Sequence, residues 1–339
     1  MGAAEGKNGP SENLTSAEQG KLWATYLGNT MSICILRYAL QHMEDQQIKA
    51  IAQKALDLTG QFAQSIKDIF MREGYPIPQG FTDEDVNLGA PKLFSDEFYL
   101  FLLKYDGKIG LNLYGIAVSL CTRADVRAFF TQCWNSTAEL LKQVEDCLNS
   151  RGLTIKPAGI PYPNQVMFVE KQSYLQGFLG KVRPLNALEI AHLHDNAENS
   201  LIGKAIAIGF SQVAQSDHAR NYFVRVMKMD AKHYEIFSHI LQKENIPAPP
   251  IIDQFVTTSN FSPFSDKLMI FHKLNLLTMR IRAYGNALSL CARHDLAAQY
   301  GRLLLEVGNC AEDGSNILIE NGWLEQMPQA PEREALTTG

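Results

Sequence analysis

Residues 114–125 read YGIAVSLCTRAD, and residues 284–295 read YGNALSLCARHD. Eight of the twelve positions are identical, at an offset of 170. The match spreads outward in both directions. Phe94-Ser95-Asp96 faces Phe264-Ser265-Asp266 at the same offset. Further upstream, Thr15-x-x-Glu18 corresponds to Asn186-x-x-Glu189. Gly74 with Pro76 and Pro78 corresponds to Asn245 with Pro247 and Pro249, now at an offset of 171. The one-residue difference falls in the loops 79–93 and 250–263, where a change of length costs least. The period is too long for a solenoid, so the chain repeats a whole folding unit.

Helical spacing dominates within each unit. In residues 46–73 the apolar set is Ile48, Ile51, Ala52, Ala55, Leu56, Phe62, Ile66, Ile69 and Phe70, in steps of three and four. That spacing places them on one face of a helix. Strict alternation of β-branched residues is nearly absent. Helices are predicted over about 16–42, 46–73, 94–121 and 125–150, then 187–214, 217–244, 265–292 and 295–320. Thr15 with Glu18 and Asn186 with Glu189 form capping boxes. Gly74 and Asn245 tolerate the left-handed position that closes a helix, and the prolines beyond them prevent its continuation. Asp125 and Asp295 are expected to cap the fourth helix of each unit.

Each unit has four helices and can close its own core. The expected fold is all-α, two tandem ferritin-like four-helix bundles related by internal duplication. The expected boundaries are a disordered tail at 1–13, bundles at 14–152 and 185–324, a linker at 153–184, and a C-terminal tail at 325–339. The linker carries Val166, Met167, Phe168, Val169, Tyr174, Leu175 and Phe178, so it is expected to pack across the bundles.

Composition excludes several functions. Residues 1–170 carry 15 basic and 19 acidic side chains, and the remainder 16 and 17. Neither half has the basic excess that a phosphate backbone requires. The N-terminus lacks the apolar stretch of a secretory signal, and no apolar run reaches the roughly 18 residues of a membrane span. The six cysteines form no C-x-x-C pair and lie in apolar periodic stretches, which reads as packed thiols in a cytoplasmic protein.

The stretches LTSAEQGKLWATYL, GYPIPQGFTDEDVN, LFSDEF, RPLNALEIAHL, GFSQVA, PFSDKL and ENGWLEQMP occur in order over residues 13–330. Together they resemble a bacterial family named as domain of unknown function 3231, found in spore-forming bacilli and their relatives. The resemblance implies ferritin-like bundles and a cytoplasmic or spore-associated setting. It implies no activity, cofactor or site residue.

A ferritin-like bundle raises the question of two metal ions, which need a carboxylate from each of four helices and Glu-x-x-His on two. In the first unit, residues 19–41 contain no acid. In the second, Asp195 and Glu198 lie on one helix and Asp230-x-x-His233 on the next, at matching distances from the turn between them. Asp195, Glu198, Asp230 and His233 are therefore the candidate metal ligands. Against them, the segment between Asp266 and Asp295 has no acid, and Arg280 and Arg282 stand where its carboxylate belongs. Alternatively, Asp195, Glu198 and Arg280 or Arg282 could form a charged cluster in or beside the core, or face solvent.

Other motifs fail. Asp83-Glu84-Asp85-Val86-Asn87 begins like a calcium loop, but Leu88 and Phe94 replace its glycine and its bidentate glutamate. No nucleophile elbow or phosphate-binding glycine loop is present. No catalytic residue or cofactor is assigned. The leading expectation is a structural or interaction protein acting through a protein partner or self-association, with no nucleic acid and no membrane span. The alternatives are a metal-binding or di-metal oxidoreductase descendant and a carrier of a small apolar ligand. For the carrier, Trp23, Tyr26, Phe98, Tyr99 and Phe101 are the candidate lining.

Overall fold

The computed structural model describes residues 13–333. Its helices are α1 (Ser16–His42), α2 (Gln46–Arg72), α3 (Asp96–Leu120), α4 (Ala124–Ser150), α5 (Ala187–Val213), α6 (Asp217–Lys243), α7 (Asp266–Leu290) and α8 (His294–Glu320). The described residues contain no strand, only two isolated bridges. The chain is all-α, and its two four-helix halves are copies of one another.

Local chemistry sets the ends of the helices. Thr15 and Glu18 close one capping box, Asn186 and Glu189 the other. Gly74 and Asn245 adopt φ of 62° and 58° beyond α2 and α6, and Gly152 and Gly322 do the same beyond α4 and α8. At each of these ends an N–H reaches back five residues, for example from Tyr75 to the Phe70 carbonyl. This is the Schellman closure.

The duplicated twelve-residue stretch is the corner between α3 and α4, and between α7 and α8. The capping-box glutamate of the first helix also grips this corner. Glu18 Oε1 accepts the N–H groups of Thr122 and Arg123, both at 2.8 Å. Glu189 Oε1 accepts those of Ala292 and Arg293 at 3.1 and 3.2 Å. Burial would raise the Glu18 carboxyl, but the N–H groups of Arg123, Thr15 and Thr122 hold it down at about 2. The motif is written twice because one carboxylate in each half must satisfy a helix start and a distant corner together.

One expectation about this corner is corrected. The fourth helices begin one residue early, so Asp125 and Asp295 lie inside the first turn, and Arg123 and Arg293 are the caps. Each aspartate pairs with its arginine, at 2.8 Å in the first half and 2.7 Å in the second. The arginines also reach Glu73 and Glu244, at the ends of α2 and α6.

The halves meet about a local pseudo-twofold axis. Val86 bridges Phe264, and Phe94 bridges Val256, two pairings that the repeat offset interchanges. Ser265 N–H donates to the Asp85 carbonyl as Ser95 N–H donates to that of Phe255. Buried side chains from all eight helices form one continuous core across this junction. A second core of the first half includes Phe62, Phe70, Phe130 and Cys133. All six cysteines are free thiols, five of them buried.

The linker is a correction. Val166, Met167, Phe168 and Val169 lie on the surface, Phe168 with 86% of its area exposed. The helices and the paired α2–α3 loops already fill the junction that the linker was expected to cover. It is tethered instead at points. Tyr174 stacks on Arg183 at 4.1 Å, and Gly177 passes so close to Asp295 that a Cβ there would lie 1.9 Å from Oδ1. The expected tail at 1–13 falls, apart from residue 13, outside the described residues. The expected tail at 325–339 is described to 333 and begins with an anchor: Glu325 accepts the N–H groups of Gln79 and Gly80 at 2.9 and 2.6 Å.

Candidate ligand cavity

The two bundles diverge at the middle of their cores. In the second bundle, Asp230 from α6 is fully buried between two cations of α7. Lys273 Nζ reaches Asp230 Oδ2 at 2.7 Å and the Gly203 carbonyl at 2.8 Å. Arg280 Nη1 pairs with Asp230 Oδ1, and Nη2 reaches the Asn199 carbonyl at 3.2 Å. Burial would raise the Asp230 carboxyl, but Arg280 and Lys273 hold it below its ordinary value. The cluster needs glycine on α5. A Cβ on Gly203 would lie 2.4 Å from Arg280 Nη2 and 2.7 Å from Asp230 Oδ2.

At the repeat positions of Gly203, Asp230, Lys273 and Arg280, the first bundle has Ser32, Thr59, Leu103 and Gly110. The arginine has become hydrogen and the aspartate a threonine, whose Oγ1 bonds back to the Ala55 and Leu56 carbonyls of its own helix. The space is left as a cavity of about 150 Å³. Its walls come from all four helices, among them Gly28, Ile35, Leu58, Phe62, Leu103 and Leu140, with Asn275 of the other half at one end. The wall on α3 runs from Tyr99 to Tyr114. At 1.5 Å per residue, that makes it an elongated space on the order of 20 Å long.

Few polar groups face it. Asp106 stands where the second bundle has Leu276, and among the described residues its carboxyl has no hydrogen bond or ion pair. It keeps some surface towards the cavity while protein packs round it, and burial pushes it up to about 7. Thr25 is almost fully buried, and its Oγ1 also has no partner. Asn29 donates to the Thr25 carbonyl at 2.8 Å. No lysine, arginine or histidine lines the space.

The four expected metal ligands do not form one site. Asp195 and Glu198 face the first bundle, where Lys108 meets Asp195 Oδ1 at 2.6 Å and Glu198 Oε2 at 3.2 Å. Lys104 meets Glu198 Oε1 at 2.7 Å. Asn199 Nδ2 takes the remaining Asp195 oxygen at 3.0 Å. His233 lies between the Tyr284 hydroxyl, 2.9 Å from Nδ1, and Glu306 Oε2, 3.2 Å from Nε2. Burial and Arg280 push its imidazole down to about 4, so it is neutral. The Glu306 carboxylate only accepts, so Nε2 carries the proton and Nδ1 accepts from Tyr284.

Every donor atom of Asp195, Glu198, Asp230 and His233 is thus engaged, and the residues fit ion pairs rather than a metal. Among the described residues, no group of three or more His, Cys, Asp or Glu side chains could hold one. Arg280 closes a charged cluster as the sequence alternative allowed, but on Asp230. Lysines from the other bundle answer Asp195 and Glu198. In the acidic loop, Thr82 and Asp85 form a capping box.

Two segments of the chain, residues 3–166 and 173–336, match the model of the family described as protein of unknown function (DUF3231). The chain belongs to that family. Each matched segment of the DUF3231 chain holds one complete bundle, so the family unit is the four-helix repeat. A crystal structure of a candidate spore coat protein from Bacillus halodurans C-125 is similar at 19% identity and a TM-score of 0.40, covering 44% of this chain and 98% of that one. Comparison with curated proteins gives no match. No helix among the described residues is long and apolar enough to cross a membrane.

Of the aromatic residues expected to line a pocket, only Tyr99 lines this one; Trp23, Phe98 and Phe101 are packed in protein, and Tyr26 lies off the cavity wall. The sequence did hold a signal for the site. Gly107 and Gly110, in an otherwise bulky α3, stand where α7 has Leu277 and Arg280, beside an aspartate with no basic partner on its own helix face. Aligning the two repeats at the core positions exposes that loss of volume.

Proposed function

We propose that this DUF3231 chain is a non-catalytic binding protein whose first bundle carries a small, mainly apolar ligand and whose second bundle is a locked scaffold. The observation that carries the reading is the cavity of about 150 Å³ at the level where Arg280 fills the second bundle. An apolar cavity of that size holds a benzene-sized molecule. Its walls offer no nucleophile with an adjacent base and no ring of metal donors, so binding rather than turnover is the chemistry they support. Gly28 provides the test, because a Cβ there meets nothing within 4 Å and a larger side chain enters the space. Millimolar benzene is expected to raise Tm of the full chain by a few degrees through preferential binding to the folded state. Gly28→Leu should abolish the rise while leaving the fold intact by circular dichroism. No rise in the unmodified chain would refute the reading.

A second reading, self-association, rests on the linker. Nine of its large apolar side chains are exposed: Ile160, Tyr162, Val166, Met167, Phe168, Val169, Leu175, Phe178 and Leu179. Together they offer area on the order of the ~800 Å² per partner that a standard interface buries. A second copy of the chain is the proposed occupant. Light scattering should give a mass near twice 37.9 kDa, reduced to the monomer by Met167→Ser with Phe168→Ser. A monomer at all concentrations removes this reading.

A further inference from the structure

The walls of the first-bundle cavity also select the chemistry of its ligand. Asp106 is the one lining side chain that can carry a charge over the working pH range; the hydroxyls of Ser32 and Thr137 and the amide of Asn275, which also line the space, are neutral and can donate as well as accept. Asn29 is engaged with the Thr25 carbonyl, and Thr59 with its own helix. With no cation among the lining residues, a carboxylate ligand would meet Asp106 without compensation. A hydroxyl would donate one hydrogen bond to Asp106 but leave its charge uncompensated. An ammonium would donate a hydrogen bond between two ions and would neutralise the only charged group in the space.

We infer that the first bundle binds a primary amine with an apolar body of about benzene size or a short alkyl chain, its nitrogen on Asp106 and its apolar part against Leu58, Phe62 and Leu103. The inference rests on the cavity being a ligand site, and it adds the head group. The second bundle explains why the acid faces the cavity without a basic partner. There, the carboxylate at the middle of the core is answered by cations, Asp230 by Lys273 and Arg280. Asp106 is a core acid without such a partner among the described residues, and an incoming ammonium takes the place those side chains hold in the other copy. The only other titratable groups on the cavity wall are Tyr99 and Tyr114, both pushed up by burial and neutral over the working pH range.

Three probes of one shape test this: benzylamine, benzyl alcohol and benzoate, titrated calorimetrically into the full chain at pH 8. Benzylamine is expected to bind at least tenfold more tightly than benzyl alcohol, and benzoate more weakly than either. Asp106→Asn should bring benzylamine within about threefold of the alcohol. Lowering the pH to 5, which protonates Asp106, should weaken benzylamine at least tenfold and spare the alcohol. Equal affinity for amine and alcohol, or an amine preference that survives in Asp106→Asn, overturns the inference while leaving the cavity reading in place. If benzene and all three probes fail to bind, both fall.

Discussion

The two bundles are copies that have solved the same problem in opposite ways. At the level of Gly110 and Arg280, the second bundle fills its core with a buried aspartate, lysine and arginine and gives up a side chain on α5 to make room. The first bundle replaces these with threonine, leucine and glycine, keeps Ser32, and is left with a cavity and an acid that lacks a partner. Helix lengths and corners are the same in both. A bundle's frame is therefore specified separately from its filling. The frame is held by carboxylates on backbone N–H groups at the corners. Besides Glu18 and Glu189, Asp96 accepts from Glu44 and Asp45 as Asp266 accepts from Gln215 and Ser216. With the ends fixed this way, the middle is free to diverge.

The largest effect expected from breaking this contrast is at Arg280. Arg280→Ala leaves Asp230 with one cation in a fully buried site, and removing one partner of such a cluster costs about 3–5 kcal/mol. The replica at Gly110 has no ion to strand. Urea denaturation of the variant, read as the change in midpoint, measures it, and a loss below 1 kcal/mol would show the cluster to be dispensable. The deficit should shrink in acid. Asp230 is held below its ordinary range, so its contribution is present above the unfolded pKa near 4 and is lost as pH falls through the folded value.

Gly203→Ala sharpens the comparison from the other side. The added methyl collides with an arginine that its ion pair keeps in place, and overpacking of this kind costs about 1–3 kcal/mol. Ser32→Ala, at the same position of the first bundle, should fall within about 0.5 kcal/mol of wild type. Similar losses at both positions would contradict the difference between the cores.

Asp106→Asn should stabilise the protein, and the gain should depend on pH. The folded carboxyl sits near 7 against an ordinary value of 3.8. Below pH 4 both states of the wild type are protonated and the gain is small. It grows from pH 4 to 7 as only the unfolded state ionises, and is constant above 7. Part of the carboxyl surface faces the cavity, so about 1–2 kcal/mol is expected at pH 8, less than the full shift implies. Thermal melts at pH 4 and pH 8 test it, and a gain that does not grow with pH would contradict burial of the charge.

The smallest contrast is at the duplicated corner. Asp125→Ala and Asp295→Ala each remove an acid from a first helical turn, worth about 0.3–1 kcal/mol. Asp295 should lose more, because its side chain is 24% exposed against 45% for Asp125 and Gly177 packs against it. Chemical denaturation of the two variants side by side gives the order, and a larger loss at Asp125 would reverse it.

The frame was legible in the sequence because its causes are local. A capping box spans four residues, a glycine or asparagine fixes its own φ, and apolar spacing marks one helix face. These cues placed all eight helices within two residues of their observed ends, and comparison of the repeats confirmed them. What sequence did not reveal is where side chains meet across distance. Lys104 and Glu198 are 94 positions apart, and Asp230 and Arg280 are 50 apart. Nothing in the neighbourhood of Asp195 or Glu198 announces that lysines of the other bundle will claim them, so a metal was a reasonable use for those acids until the fold supplied the cations. The linker departs from its sequence expectation for a similar reason. Its composition asks for burial, but whether a face is free to bury it depends on how the helices have already packed. The duplicated architecture belongs to the sequence, since each helix is specified by its own residues. The cavity belongs to the tertiary structure, because empty space is set by what every neighbouring side chain leaves unfilled.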